Sequence, residues 1–367
     1  MKISPFEMER WQSIWEHRVA VNLSESGVEP VALAEFMGEG DLSEVLHTPL
    51  GYTETRGSEA LREAVAGLYP DCGPENVLLT AGSAEANFLS VLATAEKATP
   101  FVAVLPNYMQ VWGLARSWAK GVPLPLREDR GWQPDPEEVK VVVGPGTTAI
   151  SLSHPNNPTG VPLSGQSRGI LLDAAEDAGA WVLSDEVYRG VEREGGETPT
   201  FWGEAERVVV TSGLSKAYGL PGLRLGWACG PPEFIDRLWA LHDYTTIAIN
   251  KLADLLARRA LGPWRERLLD RARSLLRQNF PLLQSFVEEN ALSWVPPHAG
   301  AIAFFRYPGT TPSLALAERA REAGVLVVPG AHFRQEGYLR LGYGMEAEVL
   351  KEGLGLLQTV LDQVAKA

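Results

Sequence analysis

Short apolar runs rich in β-branched residues recur at 101–105 (FVAVL), 149–153 (AISLS), 180–184 (AWVLS) and 207–211 (RVVVT). Continuous runs of this kind suit strands covered on both faces, as in parallel sheets. Helical spacing fills the intervals. Over 108–120 the side chains of Met109, Val111, Trp112 and Ala115 fall on one face, and Gly121 is placed to stop the helix. Over 164–178 Ile170, Leu171 and Ala174 point inward, with Gly179 as the C-terminal stop. Strands alternating with helices predict an α/β fold with a mostly parallel sheet.

From about residue 233 the pattern changes. Residues 263–290 place Leu268, Leu269, Leu275, Leu276, Leu282 and Leu283 along one long helix. The strand-like runs AIAFFRY, VLVVP and YLRLGYG follow, then a last helix around 346–364. This reads as a smaller α+β unit, against which the first forty residues pack. With 367 residues the chain exceeds one ordinary core. The predicted division is a large domain over 43–258 and a small one built from 1–42 and 259–367.

Composition narrows the class. Hydrophobic residues at 45% and charged residues at 22% exclude a disordered or fibrous chain. A net charge of -13, with no basic cluster, argues against a nucleic-acid partner. Cys72 and Cys229 lie far apart in sequence and read as two reduced thiols. The start, MKISPFEMERWQ, is too polar for a signal peptide, and no apolar run is long enough to span a bilayer. A cytoplasmic protein without a membrane partner is expected. The six histidines lack metal-ligand spacing, so no metal is expected. GPGTTA (144–149) and GYGMEA (342–347) mimic a dinucleotide motif. The first leads into a strand rather than a helix, and the second has no strand beyond it, so both read as turns.

The segment SGLSKAYGLPGLRLGW (212–227) follows a buried strand. A lone lysine there would be an ordinary surface residue. Glycines and a proline instead hold a tight backbone around Lys216 and bring Arg224 close behind it. A desolvated lysine beside a cation is expected to have a lowered pKa and to serve as an amine for Schiff-base chemistry. Arg224 then suits a phosphate. In AWVLSDEVYRG (180–190), Asp185 and Glu186 stand at the end of a strand, where α/β sheets place ligands. They are either exposed loop carboxylates or a partner for a ring nitrogen, with Tyr188 beside them. SLSHPNNPTG (151–160) is a turn whose Asn157 can donate an amide. In AGSAEANFL (81–89), Gly82 and Ser83 open a helix whose free N–H groups suit an anion. PNYMQ (106–110) sets Tyr108 after a strand end, where its ring can lie over a flat ligand.

Taken in order, these segments resemble the class I/II aminotransferases, which are pyridoxal-phosphate enzymes of fold type I, over residues 20 to 344. The resemblance implies a mostly parallel sheet of about seven strands between helices, plus a small α+β domain. It implies that Lys216 carries pyridoxal 5'-phosphate as a Schiff base and shuttles the substrate proton. Asp185 would pair with the pyridinium nitrogen, Asn157 and Tyr188 would hold the phenolate oxygen, and Tyr108 would stack on the ring. Arg224, the amides of Ser83 and Ala84, and Ser215 would bind the phosphate. GYLRLGYG places Arg340 where the family grips the substrate α-carboxylate, with an arginine in an exposed strand as the plain alternative. TPLGYTETRGSEALREAV (48–65) matches a segment whose tyrosine, here Tyr52, reaches the neighbouring subunit's phosphate, which implies a homodimer. VNLSESGVEP (21–30) corresponds to a loop over the substrate, with Gly27 near the carboxylate.

Two departures bear on chemistry. Gly213 stands where many relatives have a phosphate-binding serine, which leaves that hydroxyl missing or supplied by Ser212. SESG, EANFL, DYTTI (243–247) and PGAHF (329–333) resemble a branch that includes enzymes similar to capreomycidine synthase. The expected activity is transfer of an amino group between an L-amino acid and a 2-oxo acid. Elimination or cyclisation on the same scaffold, or a non-catalytic regulator, are the alternatives. Trp112, His242, Tyr244, Thr245 and Phe333 are candidates to line a side-chain pocket, with plain core packing of the aromatics as the equal alternative.

Overall fold

The computed structural model describes residues 3–365. Met1, Lys2 and the last two residues of the predicted small domain lie outside the described residues. The main sheet has eight strands: β2 (Val77–Thr80), β3 (Pro100–Leu105), β4 (Lys120–Arg127), β5 (Gln133–Pro134), β6 (Ala149–Ser153), β7 (Trp181–Asp185), β8 (Val208–Gly213) and β9 (Gly226–Cys229). Their order is β2-β9-β8-β7-β6-β3-β4-β5. The run from β8 to β4 is parallel, while β9 is antiparallel to both its neighbours and the short β5 to β4. The four apolar runs of the sequence are its centre, and every residue of β6 and β8 is buried.

Helices cover the sheet. The helix Gly165–Ala178 begins where Ser164 Oγ accepts from the Ser167 amide and ends at Gly179 with φ 65°. The helix expected over 108–120 is shorter, Gln110–Trp118. Gly121 does not end it. The ladder from Pro100↔Lys120 to Leu105↔Pro125 takes Lys120 and Gly121 into β4, so sheet pairing overrides the glycine signal.

A second sheet has the order β10 (Ser293–Trp294), β11 (Ile302–Arg306), β14 (Tyr338–Gly342), β13 (Val328–Pro329), all antiparallel. The long helix Arg265–Glu289 buries Leu268, Leu269, Leu276 and Leu283, with Leu282 half-buried. The first residues join this unit. β1 (Val21–Asn22) pairs parallel with β12 (Val325–Leu326), and the N-terminal helix Glu7–Trp15 is tied down where Trp11 Nε1 donates to the Val327 carbonyl at 2.9 Å. Cys72 and Cys229 are free, and the fold brings their thiols into contact. Among the described residues no helix is long and apolar enough to cross a membrane.

Candidate active site

Register places the polar floor. Pairing sets Ser153 beside Asp185 and Asp185 beside Thr211, so three strand ends present one row at their C-terminal edge. Asn87, from the helix Ser83–Thr94, binds two members of that row. Its Nδ2 donates to Asp185 Oδ2 at 2.7 Å, and its Oδ1 accepts from Thr211 Oγ1 at 2.6 Å. The Val187 amide donates to the other Asp185 oxygen at 3.2 Å. Asp185 therefore has hydrogen bonds but no close cation. Burial pushes its pKa up to about 6 against these bonds.

Lys216 and Asp185 line the same cavity, whose volume is about 300 Å³. Lys216 departs from expectation. Its Nζ donates to Glu25 Oε1 at 2.8 Å, while the Ser26 and Gly27 amides donate to the same oxygen at 2.8 Å each. Burial lowers the lysine pKa, but Glu25 and then Tyr188 more than offset this, so the pKa is raised rather than lowered. The ammonium of Lys216 in turn holds Glu25 at about 2. Lys216 meets a carboxylate where a neighbouring cation was expected.

Asn157 and Tyr188 touch, with Asn157 Nδ2 donating to the tyrosine oxygen at 3.1 Å. Behind them Arg340 is buried in β14, so the exposed-strand alternative does not hold. It donates to Asn157 Oδ1 at 3.1 Å and to the Ser24 carbonyl at 2.6 Å, and its buried Nε has no partner. An unpaired buried guanidinium N–H beside the cavity suits a carboxylate. Gly342 secures this corner: a Cβ there would lie 2.0 Å from the Glu25 carbonyl oxygen, so only glycine lets the loop pack.

At the other end, Ser83, Ala84, Ser215 and Arg224 line the cavity. The helix Ser83–Thr94 opens there with unpaired amides. Arg224 has φ 48° and donates to Ser215 Oγ at 3.2 Å. A non-glycine residue in that backbone region costs about 1–3 kcal/mol, which the surrounding chain must supply. Gly213 could not be serine, since a Cβ would come 2.8 Å from the Leu225 carbonyl oxygen. Ser212 does not stand in for it. Its hydroxyl donates to the Glu186 carbonyl at 3.2 Å, and it lines a separate small cavity behind the sheet.

A flat ligand with a protonated ring nitrogen, one phosphate and one carbonyl fits these groups: a buried carboxylate, an anion cradle, and a lysine on the same cavity. The family model for aminotransferases of class I and II matches residues 40–357. The chain belongs to this family. Like its other members it uses pyridoxal phosphate. Capreomycidine synthase of Streptomyces vinaceus is 29% identical, over 98% of this chain and 94% of its own length. A probable aspartate/prephenate aminotransferase of Thermus aquaticus is 29% identical over 91% and 92%. Among solved structures, a pyridoxal-phosphate-dependent aminotransferase from Streptococcus suis superposes with a TM-score of 0.93 at 30% identity, covering 99% of both chains.

Several residues of this aminotransferase escaped the sequence reading. The helix Glu7–Trp15 forms one wall, with Met8, Glu9, Gln12 and Ser13 facing the cavity and Glu16 just beyond. Tyr108 also lines it, and its hydroxyl donates to Glu9 Oε1 at 2.8 Å. Gln12 Nε2 donates to the Ser24 carbonyl at 2.7 Å, which ties the wall to the SESG loop. The five residues expected in a side-chain pocket lie elsewhere. Trp112 lines a neighbouring cavity, and Phe333 packs under the Arg340 guanidinium. His242 is buried against Glu85, Thr245 donates to the same carboxylate, and Tyr244 is 91% exposed. Tyr52 is 89% exposed and outside the cavity of its own chain. Gly27 lies beside Lys216, where a Cβ would be 3.4 Å from the lysine Cδ.

Proposed function

We propose that this chain moves an amino group between an L-amino acid and a 2-oxo acid on pyridoxal phosphate held at Lys216. The observation that carries it is the placing of Lys216 and the buried Asp185 on one cavity, with the unpaired Nε of Arg340 behind the cavity-lining Asn157. When bound, the cofactor supplies an electron sink for charge developing at the substrate Cα. Asp185, braced by Asn87, keeps a proton on the ring nitrogen. Asn157 and Tyr188 hold the phenolate oxygen, and Tyr108 covers the ring. The Ser83 and Ala84 amides, Ser215 and Arg224 bind the phosphate. Arg340 takes the α-carboxylate, close to Gly27. Lys216 Nζ would be the base that takes the proton from the substrate Cα and the acid that hands it on across the substrate nitrogen. This division of labour supports a cofactor-bearing domain over 43–258 and a closing domain of 1–42 with 259–367.

A single turnover with an amino acid and no acceptor tests the reading. Conversion of the yellow cofactor to its amine form, with one oxo acid released per site, is expected. Persistence of the yellow form while ammonia or a cyclised product accumulates would replace transfer by elimination or cyclisation. Arg340→Lys keeps the charge but loses the two-pronged geometry, and the substrate KM is expected to rise about 10–100-fold with a smaller change in kcat. An unchanged KM would remove Arg340 from carboxylate binding.

We further assign Tyr52 to the phosphate of a second subunit, in a homodimer. Its exposure, with that of Leu46 and Leu50 nearby in sequence, supports this. The expected mass by light scattering is twice the 40.0 kDa of the chain. Tyr52→Phe should weaken cofactor retention about 10–100-fold, the worth of one hydrogen bond to a charged group. A monomer with full activity would contradict both.

A further inference from the structure

We infer that the amino acid accepted by this site carries a cationic side chain, a guanidinium or an ammonium, held by Glu25 in the field of Glu9 and Glu16. The inference rests on the function proposed above and names the substrate class of that site.

Once the cofactor-facing groups are assigned, the polar side chains left on the cavity wall are Glu9, Gln12, Ser13, Glu16, Glu25 and Ser26, with Ser153 on the strand-end floor. Three are carboxylates and none is a cation. The only basic residues lining the cavity are Lys216 and Arg224, which are committed to the cofactor. Arg340, one layer behind Asn157, offers a single buried unpaired Nε, enough for one carboxylate of the ligand. A second carboxylate would find no guanidinium and would face three like charges, a built-in selection against acidic side chains.

Glu25 is more than a member of an acidic group. Its side chain is 45% exposed, and its orientation is set by the Ser26 and Gly27 amides. The loop beneath is anchored by Arg340 and Gln12 on the Ser24 carbonyl. This carboxylate already holds an alkylammonium at 2.8 Å, that of Lys216. The lysine thus stands in for a ligand cation and shows that the carboxylate accepts one in good geometry. When Lys216 Nζ is bonded to the cofactor, that partner is lost and the carboxylate stays on the wall of the cavity where the substrate meets the cofactor. Tyr108 steadies Glu9 on the same cavity, and the exposed imidazole of His17 stands 3.6 Å from the Glu16 carboxylate.

The test is an absorbance titration of the yellow holoenzyme, without acceptor, by L-arginine, L-lysine, L-ornithine, L-leucine, L-aspartate and L-glutamate. At least one basic amino acid is expected to bind about 10-fold or more tightly than either acidic one, whether the cofactor then goes to the amine form or not. Glu25→Gln keeps an acceptor for both amides, and should erase about 10-fold of the affinity for that basic amino acid while moving leucine by less than about 3-fold. Glu16→Gln, at the rim, should act in the same direction by about 2-fold. A second readout needs no turnover: the stable phosphopyridoxyl conjugates of L-arginine and L-aspartate, titrated into cofactor-stripped protein. They share ring, phosphate and α-carboxylate, so their affinity ratio isolates the side chain. Equal affinities, or a tighter aspartate conjugate, would overturn the inference and leave the cofactor site standing. Binding of neither conjugate, or no yellow chromophore, would overturn the site reading and this inference with it.

Discussion

Replacing Lys216 by alanine is expected to lower kcat by about ten-thousand-fold or more, since it removes both the covalent anchor and the proton carrier. Lys216 Nζ stands on the cavity wall with Asp185 and Tyr188, and no other lysine lines that cavity. Borohydride should fix the cofactor to a peptide containing Lys216 in the parent and to none in the variant, as read by mass spectrometry. The variant should still bind the cofactor reversibly, because the phosphate cradle and Asp185 are untouched. Partial rescue by a small primary amine would separate loss of the proton carrier from collapse of the site. Activity within tenfold of the parent would defeat the assignment.

Asp185→Asn should uncouple function from stability. With the carboxylate gone, the ring nitrogen would lose its charged partner, and removal of one member of a buried pair costs about 3–5 kcal/mol, or about a hundred- to several-thousand-fold in rate. Without cofactor the same change should stabilise the protein. Burial raises the pKa from 3.8 to about 6. The folded state therefore holds a proton that the unfolded chain has released between those values. Stability from this group is complete below about pH 4 and is lost as pH rises to about 6, a cost of about 3 kcal/mol at neutral pH. One displaced hydrogen bond, from Asn87 or Val187, takes back about 1 kcal/mol. Thermal melts of cofactor-free protein from pH 4 to 7 should show the variant gaining on the parent as pH rises. Equal melts throughout would mean that Asp185 is compensated by a group not assigned here.

The chemistry at strand ends was legible in the sequence because local signals carry it. The β-branched runs mark β3, β6, β7 and β8, and their following loops hold Tyr108, Asn157, Asp185 and Lys216. Arg224 was legible for the same reason, standing within a Gly-Pro-rich turn of the lysine. Glu25 and Asn87 were not. Each acts on a partner remote in sequence, and each sits in a segment whose signal pointed to another role, the loop over the substrate for Glu25 and the anion-binding helix opening for Asn87. Glu9, Gln12 and Glu16 recur at helical spacing, which on a first helix reads as a face turned to water. Only the pairing of β1 with β12 carries that helix back over the strand ends. The expected lowering of the Lys216 pKa failed because the nearest charge, Glu25, comes from across the molecule.

The wall helix has a consequence for how such enzymes diversify. Its cavity face, from Met8 to Ser13, contributes no residue to the strand-end row of Ser153, Asp185 and Thr211, and it is moored to the rest by a few bonds from Trp11, Gln12 and Glu9. Residues 7–16 therefore form a replaceable cassette. Exchanging it among relatives would retune which molecule enters while leaving the reaction intact, so that substrate choice can drift at one end of the gene while the catalytic apparatus stays fixed in its middle.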